Sequence, residues 1–432
     1  MRPRRKSTKS RVVAPPVTVT IDSIGARGDG VAQGPSGPLF IPGTAPGDTV
    51  VAAPGEKRGD GWAAKMLDLI TPGPDRVDPV CQHAATCGGC SLQHLDLSAI
   101  ARIKRGHLVE ALSRRGISED LVAQTREVPP GTRRRLRLTI VRPGGRAMIG
   151  FNVRGTSRLI DIQECPVARP EIVALLPALR DLATSMNSLG KGGDIQVTLS
   201  DTGFDLMFIP ARPSDPDLAE RQRLVSFAEK HDIARIAWES DGFAEPVAAR
   251  RPARLIIAGV PVDLPIGAFL QPSREGEAIL VDLVRAGLPP DAKIIADLYA
   301  GCGSLSLPLA VGGANVFAAE GESAPVDALR RAAAGLRVQA ECRDLAKHPL
   351  TEQELARYDA VIFDPPRAGA AAQAERLAWS TVKTIVAVSC NPATLARDLG
   401  VLMDGGYEVQ QVTPVDQFTW SSHLEAVAVL TR

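Results

Sequence analysis

The chain has 432 residues, enough for two or three domains, and its 44% hydrophobic and 23% charged residues are ordinary for a globular protein. A formal net charge of +1 does not announce a polyanionic partner, and 4% aromatic residues argue against a broad base-stacking platform. No apolar run approaches the ~20 residues of a membrane-spanning helix, and the basic start MRPRRKSTKSR lacks the apolar stretch of a secretory leader, so a cytoplasmic protein without a membrane partner is expected.

After the basic tail, residues 16–70 alternate as short strands around Gly/Pro turns, from VTVTI through GARGDG to PLFIPGTAPGDTVVAA, as a small β-barrel would. TPGPDRVDP, Thr71 to Pro79, reads as a Pro-rich linker. A cysteine-rich segment follows, then a helix over about Asp96 to Arg115, with Leu and Ile at helical spacing. From Arg133 to about Val262 the pattern is mixed. RRRLRLTIV, AMIGFN, RLIDIQ, DIQVTLS and DLMFIP predict strands, and EIVALLPALRDLATSM predicts a helix. From Pro265 onward, KIIADLYA, NVFAAE, DAVIFDPP, KTIVAVSC and EAVAVLTR alternate with helical stretches, the signature of a doubly wound, mostly parallel sheet. The basic run Arg133, Arg134, Arg135 and Arg137 reads either as a solvated strand face or as a phosphate-contacting patch.

Seven cysteines are an odd number, and in a long cytosolic chain they argue for metal or catalytic roles rather than a disulfide framework. CQHAATCGGC spaces Cys81, Cys87 and Cys90 as C-x5-C-x2-C, with Gly88 and Gly89 letting the backbone curl. Thiols so spaced suit zinc or an iron–sulfur cluster, and the spacing alone does not choose between them. Cys165 in QECPV is the candidate fourth ligand, because a proline commonly follows a cluster cysteine.

KIIADLYAGCGSLSLPLA is a strand, a Gly-rich turn and a helix start. NVFAAE then ends in Glu320, about twenty residues on, where a nucleotide ribose contact is expected. In Asp364-Pro365-Pro366-Arg367 two prolines stiffen the backbone behind a carboxylate at the strand end. VAVSCNP puts Cys390 at the tip of a strand, where open α/β sheets place ligands and chemistry, although a structural cysteine would serve equally well in mid-strand. Glu425 taken alone reads as an exposed carboxylate beside a C-terminal strand, and His423 as a structural residue.

DLYAGCGSLSLPLA, DPPRAG, SCNP and HLEAV, in this order and together with CQHAATCGGC, resemble the S-adenosylmethionine-dependent RNA uracil-C5 methyltransferases. The match is closest to the branch that carries a TRAM domain and an iron–sulfur cluster and acts on 23S rRNA. The resemblance implies a multidomain α/β protein. Residues 13–70 would form a TRAM-like OB β-barrel and 75–262 a central α+β iron–sulfur and RNA-contacting domain. Residues 263–432 would form a Rossmann-like class I methyltransferase domain. It implies S-adenosylmethionine as cofactor, a 4Fe-4S cluster on Cys81, Cys87, Cys90 and Cys165, and an RNA partner, 23S rRNA or alternatively tRNA, for a monomeric enzyme. Cys390 would be the nucleophile and Glu425 the general base. Gln271, Tyr299, Ser304, Glu320, Asp344 and Asp364 would line the cofactor site. Ser273 stands where that family commonly has Asn, and Thr419 where it has Pro.

Uracil C5 is a poor nucleophile. A thiolate adding to C6 makes the ring an enolate, and a base must later remove the C5 proton, so one soft nucleophile and one base are needed. An enzyme acting on an exocyclic amine needs no thiol and has an aromatic residue where Arg367 stands. A non-catalytic iron–sulfur RNA-binding protein needs neither SCNP nor HLEAV.

Overall fold

The computed structural model describes residues 15–432, in two compact units. The basic tail singled out above lies outside the described residues.

The first unit contains, of the described residues, 15–85, 90–103 and 420–422. Its six-stranded sheet is formed by Val17–Thr20, Ser23–Ile24, Asp29–Gly34, Gly37–Pro42, Thr49–Arg58 and Gly61–Thr71. Alternation puts Val19, Ile21, Leu39, Ile41, Val50 and Ala52 into one small core. The segment expected to be a linker is fastened to this sheet instead. The buried Asp48 carboxylate accepts from Ala45 N (2.7 Å), Gly73 N (2.8 Å) and Arg76 Nη2 (2.5 Å). Gly73 approaches so closely that a Cβ there would meet Pro46 O at 2.1 Å. A composition rich in proline and glycine is thus used for tight packing, which local sequence signals do not distinguish from a linker.

The second unit comprises residues 86–89, 104–419 and 423–432. Its first half is a seven-stranded sheet, in spatial order Leu159–Asp161, Met148–Asn152, Arg135–Val141, Gly192–Ser200, Gly203–Pro210, Arg235–Ser240 and Phe243–Ala249. Leu136, Leu138 and Ile140 alternate inward beneath helices Pro170–Ser185 and Leu218–Lys230.

A hairpin, Arg254–Ile257 with Val260–Asp263, leads into the C-terminal sheet. Its strands are β1 (Ile294–Leu298), β2 (Asn315–Glu320), β3 (Val338–Cys342), β4 (Ala360–Phe363), β5 (Thr384–Ser389), β6 (Glu408–Asp416) and β7 (Glu425–Thr431). They lie in the order 3-2-1-4-5-7-6, with Arg126–Glu127 beside β6 at the edge. β1 to β5 are parallel, and β7 runs antiparallel between β5 and β6. All six side chains of β5 are buried, as a continuous apolar run in a two-faced sheet requires. The strand order reverses between β1 and β4, where such sheets open a crevice at their carboxyl ends.

Candidate active site

Every polar group described below lies in the second unit, and most lie at the carboxyl edge of its C-terminal sheet. Asp364 directly follows β4, and its backbone N–H donates to Leu298 O at the end of β1 (3.2 Å). Its Oδ2 accepts from Gln271 Nε2 at 3.0 Å. Gln271 Oε1 in turn accepts from Gln417 Nε2 at 2.9 Å, and the same nitrogen donates to Glu425 Oε2 at 3.0 Å. Two buried amides therefore join two carboxylates.

Glu425 is 3% exposed, so the reading of an exposed carboxylate is corrected. Its strand is interior to the sheet, which a C-terminal position in sequence conceals. Burial holds its carboxyl well above the usual range. The neighbouring Asp364 charge adds to this, and the Gln417 hydrogen bond opposes it. Desolvation likewise raises Asp364, against the hydrogen bond from Gln271.

Cys390 stands half-buried at the tip of β5, next to Ser389, which pairs with Ala426 of β7. Burial pushes its thiol up to about 11; Glu425 and Asp364 add to this, and Arg367 opposes it. The DPPR loop is tied to the cysteine loop, because Asn391 Nδ2 donates to Arg367 O at 3.0 Å. Asn391 also caps helix Pro392–Asp404 through Ala393 N at 3.1 Å. Arg367 Nη2 donates to His423 Nδ1 at 2.8 Å, and burial first, then the Arg367, Lys104 and Arg133 charges, hold that imidazole below its ordinary value.

The Gly-rich turn lies alongside. Glu320 accepts from Gly301 N through Oε2 and from Glu322 N through Oε1, both at 3.0 Å. Gly301 has φ +54°, and a Cβ there would meet nothing within 4 Å, so the turn borders open space. Tyr299 has a positive φ of 64°, and burial pushes its phenol up to about 12, with Asp398, Asp344 and Glu320 contributing. The Lys347 ammonium lowers the Asp344 carboxyl at 2.9 Å. Ser304 donates to Glu277 Oε1 at 2.6 Å, facing the helix Arg274–Gly287.

Both departures from the expected pattern have local uses. Ser273 caps that same helix by accepting from Gly276 N at 3.0 Å, and the buried Thr419 donates to Val128 O at 3.3 Å.

Four participants are not assigned to this site by the sequence. Gln417 is one. Arg134, 5% exposed, pairs with Glu277 at 3.0 Å and donates to Gln271 O at 3.2 Å, so within the basic run this residue is structural. Glu277 joins Arg134 to Ser304. Asp297 in β1 is buried, and burial pushes its carboxyl up to about 7; Oδ2 accepts from Ser306 Oγ at 2.5 Å, while Oδ1 has no hydrogen-bond partner among the described residues. Asp297 could have been noticed as a carboxylate inside an apolar strand. The other three act through contacts that only the fold creates, such as Gln417 with Gln271 146 residues away, which spacing does not reveal.

This edge fits a cationic, nucleotide-like ligand such as S-adenosylmethionine. It offers a bare glycine turn, a carboxylate beside it and an excess of buried acidic groups. The cysteines fit their expected group less well. Cys87 and Cys165 are close enough for the Cys165 charge to raise the Cys87 thiol, for which burial is the larger cause. Gly89 N donates to Cys87 Sγ at 3.4 Å, and Cys87 forms a β-bridge with Val153. Yet among the described residues no three His, Cys, Asp or Glu side chains are gathered as a metal site.

Residues 264–432 match the family model of tRNA (uracil-5-)-methyltransferase. An uncharacterized RNA methyltransferase of Mesorhizobium japonicum is 42% identical over 96% of this chain and 97% of its own length. The 23S rRNA (uracil(1939)-C(5))-methyltransferase RlmD of Halomonas elongata is 34% identical over 95% of this chain and 89% of its own. The crystal structure of Pyrococcus abyssi tRNA (uracil-54, C5)-methyltransferase with S-adenosyl-L-homocysteine shares the fold, with a TM-score of 0.75 over 96% of this chain and 100% of that one, at 24% identity.

Proposed function

The chain belongs to the S-adenosylmethionine-dependent RNA (uracil-5) methyltransferase family, and we propose that it methylates C5 of a specific uridine in 23S rRNA through a covalent bond from Cys390 to C6. The observation that carries this reading is the meeting of Cys390 and Glu425 at the adjoining ends of β5 and β7. One thiol and one base are what C5 chemistry requires.

S-adenosylmethionine supplies an electrophilic methyl group on a cationic sulfur. Glu320, Asp364, Gln271, Tyr299, Ser304 and Asp344 would hold it, with Ser304 and Gln271 set in place by Glu277 and Arg134. Cys390 loses its proton and its sulfur adds to C6, which moves the C5=C6 electron pair toward C5 and O4. The carbanion-like C5 would bond to the methyl carbon as the sulfur–methyl bond breaks, its electron pair leaving on the sulfur of S-adenosylhomocysteine. Glu425 then removes the C5 proton, the C5=C6 bond re-forms, the C6–S bond breaks and the thiolate departs. The target base must leave its stack to reach this edge, which costs a few kcal/mol and favours loops over duplex.

The N-terminal sheet, as a TRAM-like module, and the exposed Arg137 would hold RNA phosphates. The RlmD relative supports 23S rRNA; the match to the tRNA family model makes tRNA the second reading. For Cys81, Cys87, Cys90 and Cys165 we propose the 4Fe-4S cluster that the family resemblance implies, which the Cys87–Cys165 proximity supports. Iron and sulfide analysis of anaerobically purified protein tests it, with Cys165→Ala expected to lose both.

The test of function is incubation with S-adenosylmethionine and unmodified transcripts of 23S rRNA and tRNA, followed by nucleoside analysis. 5-Methyluridine in the 23S pool is expected. Its appearance only in tRNA selects the second reading, and its absence from both rejects the activity.

A further inference from the structure

Gln417 is held more firmly than a surface-loop glutamine. On one side Asp416 accepts from the buried Lys104 Nζ at 2.5 Å; on the other, Phe418 O accepts from the same ammonium at 3.1 Å. Phe418 N also donates to Asp416 Oδ1 at 3.2 Å. Val415, two residues before Gln417, pairs with Glu425 across β6 and β7. Clamped at both neighbours, the side chain is directed to the base side of the edge. Helix Arg274–Gly287 makes room for it: a Cβ on Gly276 would meet Gln417 Oε1 at 2.5 Å and its Cβ at 2.9 Å. The residue is 4% exposed.

The bonding is asymmetric. Nε2 serves both Glu425 Oε2 and Gln271 Oε1, while the Gln417 Oε1 is buried without a hydrogen-bond partner among the described residues. The alternative amide orientation would place that oxygen against the Glu425 carboxylate. The observed one keeps both N–H groups on acceptors.

We infer that Gln417 is the positioning residue of the general base: by donating to Glu425 Oε2 it leaves Oε1 to take the C5 proton, and through Gln271 it ties the base to the cofactor-side carboxylate Asp364. This rests on the proposed C5 chemistry and deepens it. The step it serves is the last one. The C5–H electrons form the C5=C6 bond, the C6–S pair leaves with Cys390, and the proton ends on Glu425. Gln417 also lowers the carboxyl that burial raises, so its loss makes the base harder to ionise.

The test compares wild type with Gln417→Met, close in volume but unable to donate, and with Gln417→Glu, which adds a carboxyl. The probe is the 23S rRNA or tRNA transcript that wild type methylates, with methyl-labelled S-adenosylmethionine. For Gln417→Met the expected result is turnover reduced about 10- to 100-fold. Label is expected to accumulate in a protein–RNA band that survives denaturing electrophoresis. The acid limb of the rate profile should move to higher pH. Gln417→Glu should move it further, which a purely structural role would not do. If either folded variant, judged by its melting curve, turns over like wild type with an unmoved profile and no labelled band, the inference is overturned. If wild type itself yields no 5-methyluridine, the underlying reading fails and the inference falls with it.

Discussion

Cys390 and Glu425 lie one residue beyond the last cross-strand pair of β5 and β7, Ser389 with Ala426. Antiparallel pairing thus brings to one sheet edge two groups 35 positions apart in the chain, the thiol at the end of one strand and the carboxyl at the start of the other.

Their separate roles predict different failures. Cys390→Ala should abolish methylation, by at least about 10³-fold, while keeping RNA binding and changing stability by no more than about 1 kcal/mol. Glu425→Gln should instead stall after methyl transfer, leaving a labelled protein–RNA band on ordinary uridine RNA. Single-turnover assays with denaturing electrophoresis separate the two outcomes.

Burial raises both groups, and each acts in its deprotonated form. A raised group loses its proton only at higher pH, so the rate should climb with pH through the neutral range, with an acid limb well above the ordinary glutamate value of ~4.3. A rate profile flat from pH 5 to pH 8, ~3 units, would contradict this.

Arg134 supports the cofactor side from the neighbouring sheet. Arg134→Met leaves Glu277 without its cation, and a loss of about 3–5 kcal/mol is expected from breaking a buried pair on one side. S-adenosylmethionine binding should weaken at the same time, because Gln271 O and, through Glu277, Ser304 lose their support. Adding Glu277→Gln should restore part of the stability but not the binding, as thermal melts and isothermal titration would show.

Asp297 predicts a pH-dependent stability. Its carboxyl titrates near 7 when folded and ~3.9 when unfolded, so the folded state binds the proton more tightly. The stabilisation from the protonated form is complete below ~3.9 and is lost as pH rises through about 7. Asp297→Asn, always neutral, should therefore gain on wild type with rising pH, by a few kcal/mol on the alkaline side. Melting temperatures of the two proteins without cofactor at acid and alkaline pH measure it.

The sequence made some parts of this architecture legible and hid others for physical reasons. Runs such as TIVAVS are apolar enough to read as strands, and a thiol at the end of one is visible as an oddity. β6, EVQQVTPVD, escapes notice because two glutamines and a proline break its pattern, although it is held by pairing with β7. Glu425 reads as exposed because nothing local reveals that the last strand is inserted between two others. The Arg133 to Arg137 run looks like a uniform basic patch. In the structure Arg134 turns inward, while Arg137 stays exposed beside Asp194. Gln417 has no local signal either: it meets Glu425, 8 residues on, through the pairing of β6 with β7, and its other partner Gln271 is 146 residues away.

The most direct measurement of the central claim uses RNA transcribed with 5-fluorouridine. Fluorine at C5 cannot be removed as a proton, so after methyl transfer the C6–S bond cannot break and the complex is trapped. Digestion and mass spectrometry should find the trapped nucleotide, carrying both the fluorine and the new methyl group, on Cys390. No adduct, or one on any of the other six cysteines, would contradict the assignment.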